Sequence, residues 1–150
     1  MPTPFQDVIM NYEFKAHLEE YLCTSAASRK TLKEIVEYYE ANPDTMMKYG
    51  NTLLKAALEE APGGLQGEEY LRAMEERSKM IMEVREELAD YDAVIVCGPT
   101  NIMHFCGLPS VTIAGSQTNS FGVRQGLMLY GVDEYRLYRA ALAIEKIIGD

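Results

Sequence analysis

The sequence predicts an α/β protein: a helical N-terminal part, then three short strands of a mixed sheet, then a closing amphipathic helix. Three observations carry this. Apolar residues recur at helical spacing from Phe5 to Leu88, twice behind capping-box signatures. A β-branched run, Ala93-Val94-Ile95-Val96-Cys97, then breaks that pattern. Helical spacing returns with Leu137, Ala140, Ala141, Ile144, Ile147 and Ile148. A length of 150 residues is that of one domain, 1–150, with 1–90 mainly helical and 91–150 made of strands plus the terminal helix.

Thr3, Pro4 and Gln6 read as a capping box with proline in the first turn, opening a helix that runs to about Cys23. Phe5, Val8, Ile9, Tyr12, Ala16 and Leu22 fall near one face of it. Thr31 with Glu34 makes a second box, and Leu32, Ile35, Val36 and Tyr39 point inward from the helix it starts. A third helix is expected over 43–60, with Met46, Met47, Leu53, Leu54, Ala57 and Leu58 as core and an unfavourable Gly50 in its middle. Pro62-Gly63-Gly64 stops that helix, and the longest one covers Glu68 to Leu88, with Leu71, Met74, Ser78, Ile81, Val84 and Leu88 on a stripe. Its methionines, Met74, Met80 and Met82, sit at packing positions, which weighs against a soft-metal site.

Beyond Tyr91, the 93–97 run reads as a strand buried on both faces, ended by Gly98-Pro99. Val111-Thr112-Ile113 is a second short strand, 115–122 a polar hairpin-like loop, and 125–130 a third strand. Asp133 is the natural N-cap of the closing helix.

Charge and cysteines narrow the function classes. Acidic residues outnumber basic ones 23 to 14, a net charge of −9, and such a surface repels phosphate, so no nucleic acid partner is expected. Of these, 18 acids and 10 bases lie in 1–90, which reads as solvated helix faces. No apolar run approaches the roughly 20 residues that span a bilayer, and the N-terminal residues lack the pattern of a signal peptide, so no membrane partner and a cytoplasmic location are expected. Cys23, Cys97 and Cys106 are odd in number and widely spaced, which predicts reduced thiols, no disulfide framework and no structural metal.

Catalytic kits are missing. There is no G-x-S-x-G elbow, no S-x-x-K pair and no paired-serine glycine loop. Gly63-Gly64-Leu65-Gln66-Gly67 has no following lysine and no preceding strand, which makes it a helix terminator and not a phosphate cradle. His104 and Cys106 are the one close pair of reactive side chains, but residues two apart need special geometry to meet, and no third group orients the histidine. His17, Glu13 and Lys15 read as solvated, and no cofactor site is expected.

From Tyr91 onward the sequence resembles the C-terminal end of the amidase signature family. The resemblance rests on Tyr91-Asp92-Ala93-Val94-Ile95-Val96, Pro99-Thr100-Asn101, Gly107-Leu108-Pro109-Ser110-Val111-Thr112-Ile113, Gly126-Leu127-Met128-Leu129-Tyr130-Gly131, and Glu134 leading into Leu137 and 140–145. Residues 12–22, 31–35 and 41–43 are similar to helices that precede those strands in the bacterial branch.

The resemblance implies amide C–N hydrolysis by the complete family member, through a serine nucleophile, a second serine and a lysine that all lie in an upstream segment. It therefore implies scaffold, not catalysis, for the residues here. It also implies that Pro99, Thr100, Asn101, His104 and Cys106 wall a substrate pocket, trimmed because only 102–106 joins the Pro-Thr-Asn turn to the Gly-Leu-Pro strand. Ala114 and Arg124 stand where, or near where, the family commonly has proline, which loosens two loops.

Three functional readings follow. The first is a C-terminal amidase segment, inactive alone, either a split-enzyme half completed by an upstream-encoded amidase N-terminal part or a truncated remnant that is scaffold only. The second is a stand-alone interaction module that forms a homo-oligomer, a dimer by preference, through an unpaired sheet edge and an uncovered apolar face. The third is a thiol enzyme using Cys106 and His104.

Overall fold

A computed structural model of the protein describes residues 3, 5–98 and 100–148. In chain order its elements are helices α1 (Gln6–Thr24), α2 (Leu32–Ala41), α3 (Pro43–Met46), α4 (Thr52–Glu59) and α5 (Glu68–Glu87), strand β1 (Val94–Val96), helix α6 (Asn101–Phe105), strands β2 (Ser110–Thr118) and β3 (Arg124–Tyr130), and helix α7 (Glu134–Ile148). The chain divides into two compact units, Pro4–Glu76 and Arg77–Asp150 with Met1–Thr3. The division falls inside α5, upstream of the change in residue pattern at Tyr91.

In the first unit, α2 starts as its sequence predicts. The Glu34 N–H donates to Thr31 Oγ1 at 3.2 Å and the Thr31 N–H donates back to Glu34 Oε2 at 3.0 Å. The Lys30 N–H donates to the same oxygen at 2.7 Å, and these backbone donors hold the Glu34 carboxyl below its ordinary range. The box expected at Thr3, Pro4 and Gln6 does not open α1. Phe5 is the N-cap without a side-chain bond, and Gln6 is the first helical residue, too early to reach back from the third position; Pro4 lies outside the described residues.

The single helix expected over 43–60 is broken. Gly50 adopts φ +75°, which ends one piece at Met46 and lets the next start behind a buried Asn51. This turns Leu53 to solvent instead of the core, while Leu32, Val36 and Ala57 pack with Leu18, Leu54 and Leu58.

Tyr12 on α1 stacks on Tyr70 of α5 with ring centroids 5.7 Å apart. The pair is tied reciprocally: Tyr12 Oη donates to Glu69 Oε2 at 3.2 Å, and Tyr70 Oη to Glu13 Oε1 at 3.0 Å. Burial, then Glu69, pushes the Tyr12 hydroxyl above its usual pKa. Burial of Tyr70 and Ala73 shifts the inward face of the first turns of α5 by about one residue, leaving Leu71 and Ser78 exposed, while Ile81, Val84 and Leu88 of the expected stripe pack inward.

The second unit holds the sheet, in the order β1-β3-β2. Val94 pairs with Tyr130 and Val96 with Met128, while Val111 pairs with Leu129 and Ile113 with Leu127. Both ladders are antiparallel, so the mixed character expected of the sheet is not present among these three strands. β1 is an edge strand and not one buried on both faces, since Ile95 is 53% exposed. The α/β class itself is as the sequence predicts.

Strand alternation sends Leu129 and Ile113 to one face, where they pack with Leu137 and Ala141 of α7. The opposite face carries Tyr130 against Val84 of α5, Met103 of α6, Cys106 and Leu108. Each face thus has a helical cover, and the apolar face expected to lie open is covered. Asp133 caps α7 as predicted, with its Oδ1 accepting the Arg136 N–H at 2.7 Å. The Arg136 side chain in turn donates to Asp92 Oδ1 at 2.8 Å and to the Ala89 carbonyl at 2.8 Å, tying the start of α7 to the turn before β1.

The polar loop expected over 115–122 is shorter. β2 runs on to Thr118 with a register shift after Ala114, and Asn119 Oδ1 closes the hairpin by accepting the N–H groups of Phe121 and Val123, both at 3.0 Å.

Candidate functional site

The expected pocket wall lies between β1 and β2, where the sequence predicted only a connection. Residues 101–105 form α6 instead. The Thr100 hydroxyl caps it by accepting the Met103 N–H at 3.3 Å. Its C-terminus closes as a Schellman turn: the Leu108 N–H donates to the Met103 carbonyl at 3.0 Å and the Gly107 N–H to the His104 carbonyl at 3.1 Å. Gly107 sits at φ +61°, so the glycine that opens the Gly-Leu-Pro run is a helix terminator. Nothing lies within 4 Å of a Cβ added there, which leaves backbone strain as the whole cost of Gly107→Ala. That substitution should lower stability by about 1 kcal/mol in urea unfolding, whereas Gly98→Ala, with neither a left-handed φ nor a neighbour, should not.

Arg77 pins α6 from below, its Nε–H donating to the Phe105 carbonyl at 2.7 Å. This arrangement separates the reactive pair. His104 is exposed on the last turn, and Cys106 is buried in the cluster around Val84, Met103 and Leu108. Burial pushes the Cys106 thiol up, with Arg77 and Arg85 only partly offsetting it. A buried thiol with its pKa raised, beside an imidazole that lies in solvent, is poorly placed to act as a nucleophile. Iodoacetamide at pH 7.5 should therefore modify the exposed Cys23 and Cys97 in the folded protein and reach Cys106 only after denaturation. Rapid Cys106 labelling in the native state would contradict this assignment.

Of the other expected wall residues, Thr100 is half-buried in its capping role, Asn101 is exposed at the start of α6, and Pro99 lies outside the described residues. A cleft of about 560 Å³ in the same unit has a different lining. Cys97 after β1, Gly115 and Gln117 of β2, Gln125, Gly126 and Leu127 of β3, and Ile148 at the end of α7 surround it. The sequence signal for this surface was the polar stretch from Gly115, which reads as loop because it lacks the apolar alternation of a half-buried strand. Its two carboxamides and bare glycine backbone can exchange hydrogen bonds with a neutral polar group. They include no base to activate an attacking group.

Among the described residues no group of three or more His, Cys, Asp or Glu side chains is placed to hold a metal ion, and no helix is long and apolar enough to cross a membrane.

No protein-family model matches the chain, and no curated protein matches it. Solved structures do. An amidase family protein from Bacillus anthracis str. Ames superposes with a TM-score of 0.77 at 19% identity, covering 99% of this chain and 30% of that one. The peptide amidase PAM, solved with the competitive inhibitor chymostatin, gives 0.74 at 26% identity over 93% of this chain and 33% of its own. Native peptide amidase from Stenotrophomonas maltophilia gives 0.72 at 23% identity, over 93% and 32%. The chain spans about a third of the length of each of these structures, and over nearly all of its own length it has the fold of that part of an amidase.

Proposed function

We propose that this chain is the C-terminal segment of an amidase-family hydrolase, inactive by itself, which supplies scaffold to a catalytic part carried on another polypeptide. The observation that supports this most is the lopsided superposition, 99% of this chain on 30% of an amidase family structure. The site chemistry agrees with it. The described residues form a capped, pinned wall and a cleft lined by two carboxamides and the Cys97 thiol, with Cys106, the cysteine beside His104 in sequence, buried and its thiol pushed up by that burial. In this reading, 100–106 and the β2–β3 end border the substrate space, and the complete assembly hydrolyses an amide C–N bond. The three unpaired cysteines support a reducing, cytoplasmic setting.

The test is co-expression with the product encoded immediately upstream. A glycine- and serine-rich amidase segment there should co-purify with this chain and give amide turnover that neither part gives alone. An upstream product unrelated to amidases, or one that fails to bind, would contradict the split-enzyme reading.

A further inference from the structure

In the β1-β3-β2 sheet, β1 holds an edge that its residues do not fit, and its backbone directions follow from the neighbouring ladder. The Gly131 N–H donates to the Pro109 carbonyl at 3.3 Å, in line with the register that pairs Ser110 with Tyr130 and Val111 with Leu129. Directly opposed residues of an antiparallel ladder alternate between exchanging both hydrogen bonds and exchanging none, so Val111 and Leu129 are a bonded pair. Leu129 thus spends its backbone groups on β2. Tyr130 and Met128 turn theirs the other way, to Val94 and Val96. Ile95, between those two, directs its N–H and C=O outward, where the sheet of the described residues ends.

The side chains of β1 do not suit that place. Edge strands are ordinarily blunted by charge, proline or a bulge. The other edge follows the rule: in β2, polar Ser110 and Thr112 alternate with Val111 and Ile113, and the register shifts after Ala114. The 93–97 run is apolar throughout, the pattern of a strand buried on both faces, and its shortness is its one protection. Ile95 is the partner of Leu129 and shares its face of the sheet, yet Leu129 is fully buried while Ile95 is half exposed. α7 packs over the central strand and leaves Ile95 outside its cluster.

Resting on the split-amidase reading above, we propose that β1 is an interior strand of the assembled enzyme. Its outer edge takes a strand of the catalytic part, which bonds to the N–H and C=O of Ile95 and brings cover for the Ile95 side chain. About two thirds of each solved structure lies outside the part on which this chain superposes, so a complete amidase has chain to place there. A second copy of this chain is a poor occupant. β1 against β1 is a ladder of three residues a side between two chains that each carry a charge of −9.

Hydrogen exchange read at single amides tests this, on the full chain alone and after co-purification with the product encoded immediately upstream. Alone, the Ile95 amide should exchange nearly as fast as an unstructured one while those of Val94 and Val96 are protected; in the complex its exchange should slow by at least about tenfold. Ile95→Pro removes a donor that the isolated chain does not use. It should cut co-purification by at least about tenfold and leave the far-UV circular dichroism of the chain unchanged. A complex in which the Ile95 amide exchanges as fast as in the free chain would overturn this inference and leave the split-enzyme reading standing. An upstream product that does not bind would remove both. Protection of Ile95 in the chain alone, growing with concentration, would assign the edge to a second copy and overturn the proposal as well.

Discussion

Leu129→Ala is expected to destabilise the second unit by about 3–5 kcal/mol, a large share of the roughly 5–15 kcal/mol that holds an ordinary domain folded. Leu129 is fully buried in the central strand, in the cluster with Ile113, Leu137 and Ala141, and its neighbours across the ladders are Ile95 and Val111. Those neighbours belong to two flanking strands and a helix, so the space left by the side chain cannot be filled by moving one element alone. Urea unfolding followed by far-UV circular dichroism measures the loss. Leu142→Ala on the exposed side of α7 provides the control and should stay within about 0.5 kcal/mol of the parent. A loss below about 1 kcal/mol for Leu129→Ala would mean that the sheet does not organise this unit.

Gly126→Ala should be the next most damaging change, by about 1–3 kcal/mol. A Cβ at Gly126 would stand 2.7 Å from the Ile113 carbonyl oxygen and 3.2 Å from Thr112 Cγ2, and the closer of these is backbone of the paired strand. Gly115 is similar, its added Cβ falling 2.5 Å from the Gln125 carbonyl oxygen. The two strands approach closely where the register shifts after Ala114, and a side chain on either glycine forces them apart. Hydrogen exchange should show faster opening of the 112–114 and 126–128 amides in Gly126→Ala while α2 and α4 keep their protection. Unchanged exchange across the hairpin would contradict the close approach.

Much of this architecture was legible because local rules decided it. Thr31 with Glu34 and Asp133 before α7 are hydrogen bonds within one turn of chain, and nothing distant competes with them. The strand at 94–96 and the helix at 134–148 followed from residue type and period, and the series of short matches beyond Tyr91 pointed to the fold that the solved structures share. The failures have identifiable causes. Gly50 in a left-handed conformation splits one apolar pattern into two helices, which periodicity alone does not register. Tyr70 outcompetes Leu71 for the inward face because its ring stacks on Tyr12 and its hydroxyl finds Glu13.

At the site, α6 is too short to show a period, although Thr100 three residues before Met103 and Gly107 beyond Cys106 were its start and stop signals. Once 101–105 is helical, His104 and Cys106 lie on different sides of it, one in solvent and one in the core. Gln117 and Gln125 were missed because the exposed end of a hairpin loses the alternation that marks a strand.

The proposal is that this chain, which has the fold of about a third of an amidase, hydrolyses no amide by itself. The most direct test treats the purified full chain, alone, with a serine-directed fluorophosphonate and with a panel of simple amides. The account predicts no covalent adduct and no hydrolysis above the buffer rate. A stoichiometric adduct on any serine of this chain, accompanied by amide turnover, would contradict it.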